Sequence, residues 1–162
     1  MLRGPNLWSR HTALEAIVTC DVGERSIDAI PQFETKIRER FPQLGSMRRG
    51  GLTDTLSLAH ALEHAALGLQ AQAGCPVTFS RTVQTIDEGV YQVVVEYIEE
   101  VVGRMAFDFA FALIQATLNN APFDLAAALA ELEALYEDVR LGPRSEEHTS
   151  ELQSLRHLVC RL

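Results

Sequence analysis

Apolar residues change their spacing several times along the chain, and each change marks a predicted element. Ala13 to Cys20 (ALEAIVTC) mixes apolar and β-branched residues ahead of the turn formers Asp21-Val22-Gly23. That pattern predicts a strand, with a helix as the alternative. Pro31 followed by Phe33, Ile37 and Phe41 at helical spacing predicts a short helix ending near Pro42. The plainest signal comes next: Leu56, Ala59, Leu62, Ala66, Leu67 and Leu69 at helical spacing, with Thr53 or Asp54 as cap and Gly74-Cys75-Pro76 as the stop. Val77 to Thr85 and Val90 to Tyr97 are β-rich runs around Asp87-Glu88-Gly89, a hairpin-like turn with glycine where positive φ is needed. Ile98 to Asn119 returns to helical spacing and stops at Asn119-Asn120-Ala121-Pro122, after which Asp124 caps a last helix reaching Asp138.

Two long helices, two shorter ones and three strands, two of them joined by a tight turn, give the α+β class: helices packed on a small, mainly antiparallel sheet, in a single domain. Arg3-Gly4-Pro5-Asn6-Leu7-Trp8 reads as a loop whose indole packs down, and Gly50-Gly51 as a break. Leu141-Gly142-Pro143 is a boundary, because nothing in RSEEHTSELQSLRHLVCRL continues the preceding period. The run from Arg144 to Ser154 is also similar to the in-frame translation of a common short-read sequencing adapter. The expected organisation is a domain over residues 1–143 and a non-native or disordered tail over 144–162.

Composition narrows the function classes. The net charge is −8, and the tail carries three basic and three acidic residues, so the acidity belongs to the domain. Clustered Lys and Arg are what hold a phosphate backbone, so a nucleic-acid partner is disfavoured. No uninterrupted apolar run is long enough to span a membrane and no signal pattern opens the chain, from which a cytoplasmic, soluble protein is expected. Cys20, Cys75 and Cys160 stand far apart with no CxxC pair, which suits reduced structural thiols.

One constellation could carry chemistry. His60, Glu63 and His64 form HALEH, an H-x-x-E-H arrangement inside the long predicted helix, and positions i, i+3 and i+4 share one helical face. In metallopeptidases of the inverzincin type two imidazoles bind zinc, the carboxylate between them is general base, and a third protein ligand arrives from elsewhere. Glu96 is the candidate third ligand, since a carboxylate interrupting an apolar strand needs a partner; the alternative is that the strand alternates and Glu96 faces water with Val94 and Gln92. Glu99 and Glu100 are weaker, because acids at a helix start answer the helix dipole without a metal. The same five residues also suit two polar histidines at the margin of a core. The Phe107, Phe109 and Phe111 run lies in an acidic segment of helical period and reads as core packing, not as a stacking platform. Arg48-Arg49 before Gly50-Gly51 could hold an anion, or be a solvated connection. There is no P-loop, no GxSxG elbow and no Rossmann fingerprint.

Taken in order, RGPNLWS, the RRGG loop, HALEHAALGLQAQAGCPVTFSRT, GVYQVVVEYIEE and EDVRLGP resemble the amino-terminal domain of cyanophycin synthetase, from about Leu2 to Pro143. The resemblance implies a cytoplasmic, homo-oligomeric ligase that uses ATP and Mg2+ to build a poly-aspartate polymer bearing arginine on its side chains. In the family both ligase centres lie in downstream ATP-grasp and Mur-ligase-like domains, so this chain is expected to be a fragment without ligase activity. The domain itself is implied to hold the polymer, with Arg48 and Arg49 as contacts. The alternative it implies is a metallopeptidase-like centre that cuts polymer into primers, with His60, His64 and Glu96 on Zn2+ and Glu63 as catalytic base.

Overall fold

A computed structural model describes residues 12–21, 26–44, 47, 56–142 and 159–161. Strand β1 (Ala13–Thr19) is followed by a short helix α1 (Phe33–Arg40), the long helix α2 (Leu58–Gln72), the hairpin of β2 (Ser80–Gln84) and β3 (Val90–Glu96), then helices α3 (Glu100–Leu118) and α4 (Leu125–Leu141). A three-residue strand β4 (Val159–Arg161) pairs parallel to β1, so the sheet order is β2-β3-β1-β4. The architecture is the expected α+β arrangement, with β2 and β1 each antiparallel to β3 between them. β4 comes from the stretch set apart in the sequence as a tail. The opening Arg3 to Trp8 loop, Arg48 to Gly51, the Thr53 and Asp54 caps and residues 144–158 lie outside the described residues.

Local chemistry explains where the elements stop. α2 begins one turn later than Thr53 or Asp54 would start it, because Ser57 is the cap and its hydroxyl accepts from the His60 amide at 3.2 Å. It ends where Gly74 takes φ +87°, which lets the Cys75 amide reach back to the Gln70 carbonyl at 3.0 Å. Asn120 plays the same part after α3, at φ 51°, with the Ala121 amide on the Ala116 carbonyl. Asp124 Oδ1 caps α4 through the Ala127 amide at 3.0 Å. Gly89 has φ 78° in the hairpin turn.

The strand expected over Val77 to Thr85 joins the ladder only from Ser80. Its first residues do something else: the amides of Thr78 and Phe79 bind the Glu96 side chain, not the β3 backbone.

The core lies between the sheet and the helices. α2 rests across β2 and β3, α3 lies beside α2, and α1 and α4 pack on α3. Leu14, Ala16, Val18, Val93 and Val95 line the helix side of the sheet and meet Leu58, Leu62 and Leu69 of α2 and Phe107, Leu113 and Ile114 of α3. Phe107 is buried in that core, and Phe109 and Phe111 pack partly buried against it. α3 is long and apolar enough to cross a membrane by length and composition, yet half of it is buried inside the domain. Where α3 passes the end of β3 there is no room for a side chain: a Cβ on Gly103 would stand 2.6 Å from the Tyr97 Cβ.

Candidate functional site

The first two turns of α2 carry the HALEH residues, and the sheet beneath them decides how they are held. Glu63 points down onto β2 and is 1% exposed. Ser80 donates its hydroxyl to Oε1 at 3.1 Å, and Thr82 donates to Oε2. A buried carboxylate without donors is costly, so these two hydroxyls are what let an ionisable group sit at the helix–sheet boundary. Neither Ser80 nor Thr82 was singled out from the sequence. The signal available was two hydroxyl residues spaced by two in SRTVQ, hence on one face of a strand.

His60 and His64 stand beside Glu63 at half-exposed positions, their ring centroids 4.6 Å apart and inclined at 67°. His60 Nε2 lies 3.1 Å from the Met47 carbonyl oxygen, which can only accept, so Nε2 carries the hydrogen. In a neutral ring the lone pair then sits on Nδ1, which faces Glu63 Oε1 at 3.5 Å. Two acceptors facing each other are reconciled by a hydrogen on either one or by a metal ion between them. A backbone carbonyl fixing the tautomer from the far nitrogen is also the usual outer support of a metal-binding histidine.

Donor atoms of His60, Glu63 and His64 all lie within 4.8 Å of one another. Ligands about 2.0–2.1 Å from zinc stand roughly 3.3 Å apart in a tetrahedron, so small side-chain rotations separate this spacing from a binding set. The two imidazoles are ligands that zinc accepts, and among the described residues no His, Cys, Asp or Glu other than Glu63 joins them.

Glu96 is not brought into that group. On β2 the residues Ser80 and Thr82 face α2, and their register partners Val95 and Val93 share that face, so Glu96 falls on the other side of the sheet. Its Oε2 accepts from the Thr78 and Phe79 amides at 2.7 and 2.8 Å, and its backbone carbonyl accepts from Gln70. Gln70 lies two helical turns beyond Glu63, roughly 10 Å along the axis. Nor does Glu96 face water with Gln92, for it is only 2% exposed. Glu99 and Glu100 also stand outside the group of three, Glu100 within 3.2 Å of Arg104. Arg48 and Arg49 lie outside the described residues.

Comparison with known proteins places these features. A family model described as the cyanophycin synthase-like N-terminal domain matches residues 16–119, well over half of the chain. The chain belongs to the cyanophycin synthase-like N-terminal domain family. The matched span takes in β1 from Ala16 onward, the whole of α2 with its HALEH residues, the hairpin and α3. Among relatives, the chain is 33% identical to the cyanophycin synthetase of Geminocystis herdmanii and 32% identical to that of Trichormus variabilis, over 94% of its own length in each. The cyanophycin synthetase of Synechocystis is 32% identical over 93%. The chain spans only about a fifth of these proteins, 19%, 18% and 19% respectively.

Proposed function

We propose that this chain is the polymer-holding module of a cyanophycin synthetase, working in the cytoplasm beside ligase domains that carry the ATP and Mg2+ chemistry. The observation that carries the reading is the family match over residues 16–119, with relatives named for cyanophycin synthesis of which the chain covers about a fifth. In this reading the ligation belongs to the other four-fifths. The surface chemistry supports it. Each polymer unit bears a guanidinium and a carboxylate, and α4 turns Glu131, Glu133, Glu137 and Asp138 outward, while Arg38 and Arg81 are exposed elsewhere. Carboxylate–guanidinium pairs are the stronger class of hydrogen-bonded contact.

Titrating the 162-residue chain with purified cyanophycin tests this directly. Saturable binding that weakens with salt is expected. Polymer that stays free at every protein concentration rejects the reading, as does incorporation of labelled arginine by this chain alone, since a ligase centre would then lie within it.

A second reading rests on a separate observation, the three donors of His60, Glu63 and His64. Here the module is also a metal-dependent hydrolase that cuts the polymer into primers. When bound, zinc supplies a water acidic enough to ionise near neutral pH. His60 and His64 bind the ion, and His60 is oriented by the Met47 carbonyl. Glu63, braced by Ser80 and Thr82, takes a proton at Oε1, the oxygen facing His60. Zinc content after metal loading, with polymer cleavage measured for the wild type and His60→Ala, separates the two readings. One zinc per chain and cleavage lost in His60→Ala are expected; no stoichiometric zinc, with any cleavage unchanged in the variant, leaves only the holding function.

A further inference from the structure

The hairpin's hydrogen bonds fix which backbone groups of β2 are spoken for. The Glu96 amide donates to the Phe79 carbonyl and the Thr85 amide to the Val90 carbonyl, so in this register the odd residues of β2 bond to β3. The N–H and C=O groups of Ser80, Thr82 and Gln84 therefore point the other way; Ser80 is covered, at 5% exposed, while Thr82 and Gln84 reach the surface along the outer edge of the sheet. β2 is the terminal strand, and among the described residues no backbone group pairs with that edge. The same Ser80 and Thr82 reach Glu63 with their hydroxyls. An open edge and the HALEH cluster are thus two sides of one short strand.

We infer that the outer edge of β2 is where the polymer is seated: an extended stretch of its poly-aspartate backbone pairs with the outward groups of Thr82 and Gln84 as an added strand. The inference rests on the reading that this chain holds cyanophycin, and it names the surface that does so. An extended polyamide offers one donor and one acceptor per unit, which is what an open edge lacks, and strand addition is a general route to peptide recognition. The added strand lies about 4.8 Å outside β2, which brings its peptide bonds alongside the residues that hold Glu63.

Charge selects this occupant over a second copy of the chain. Arg81 is exposed at the centre of β2, and Asp87 and Glu88 are exposed in the adjoining turn. The two signs match the carboxylate and guanidinium of successive polymer units. Two copies joined edge to edge in antiparallel register would instead set Arg81 near its own counterpart, the device by which edge strands resist self-pairing.

Amide exchange in the wild-type chain, followed residue by residue by NMR, tests the edge without any substitution. Saturating cyanophycin is expected to slow exchange at Thr82 and Gln84 at least tenfold and to leave Arg81 and Val83, already bonded to β3, unchanged. A second arm uses Gln84→Pro, which removes one outward donor while keeping every bond to β3. It is expected to bind polymer at least tenfold more weakly with an unaltered far-ultraviolet spectrum. If wild type binds polymer but the two outward amides exchange as before, and Gln84→Pro binds normally, the edge is overturned and the holding function stands. Slowing that follows protein concentration with no polymer present assigns the edge to a second copy and also overturns the proposal. A wild type that binds no polymer overturns both.

Discussion

Thr82 and Glu63 are joined across the boundary between sheet and helix, the hydroxyl donating to Oε2 of a carboxylate that is 1% exposed. The pair couples the fold to the site, because the strand that terminates the sheet also determines where the central carboxylate of HALEH points. Thr82→Val keeps the shape but leaves a buried charged oxygen short of a donor, which costs about 2 kcal/mol. Thr82→Ser retains the donor and is expected to recover most of that loss. Urea denaturation of the three proteins measures it; equal midpoints for wild type and Thr82→Val would show that the hydroxyl is not needed.

Gly103 makes a prediction about how closely α3 lies on the end of β3. In an ordinary helix interior Gly→Ala stabilises by about 1 kcal/mol. Here the new Cβ would meet the Tyr97 Cβ at 2.6 Å, an atom fixed by its own backbone, with Gln70 Oε1 3.5 Å away. Overpacking of this kind costs about 1–3 kcal/mol and outweighs the propensity gain. A melting temperature lowered by a few degrees in Gly103→Ala is expected, and a raised one would mean that α3 stands off further than this.

Signals confined to a few neighbouring residues were the legible ones. The apolar and β-branched mix of ALEAIVTC, glycine in the hairpin turn, Asn119-Asn120 at the end of α3 and Asp124 before α4 each act through backbone preference or a side chain two or three residues away, and each is found in place. The start of α2 was less legible, because Thr53, Asp54 and Ser57 are all good caps and burial of the first turn decides among them. Glu96 shows the limit more sharply. Its need for a partner could be read from an acid inside VYQVVVEY, but the identity of the partner depends on register. Pairing Phe79 with Glu96 turns that carboxylate away from α2 and onto two amides, and no local pattern encodes which strand residues face which layer.

Glu96 can be tested against the role expected of it. Glu96→Ala strands the Thr78 and Phe79 amides and is expected to cost about 1–3 kcal/mol, since each loses its acceptor at a part-buried position. Glu96→Gln keeps an accepting oxygen and is expected to lose much less. Zinc bound per folded chain should be the same for Glu96→Gln and wild type, whereas His64→Ala should lower it. Zinc lost from Glu96→Gln at unchanged stability would restore Glu96 as a ligand.

Cys75 gives the fold a dependence on alkaline pH. Its thiol is 4% exposed and free, and burial, with Glu99 adding to it, pushes the thiol above its ordinary value of 9.0. The folded chain therefore keeps a proton that the unfolded chain releases once pH passes about 9, and wherever the folded state binds more protons, stability falls as pH rises. Below that range both states hold the proton and Cys75 contributes no slope. Cys75→Ala removes the titrating group, at the expense of some packing at neutral pH. The difference in unfolding free energy between the two proteins should be flat from about pH 6 to 8 and then shift in favour of Cys75→Ala as pH climbs past about 9. In parallel, iodoacetamide at pH 8 should label Cys75 only as fast as the domain opens, because the thiolate forms readily only after exposure. A difference that stays flat to about pH 10.5, or labelling as fast as a free thiol in denaturant, would place Cys75 in solvent and remove the effect.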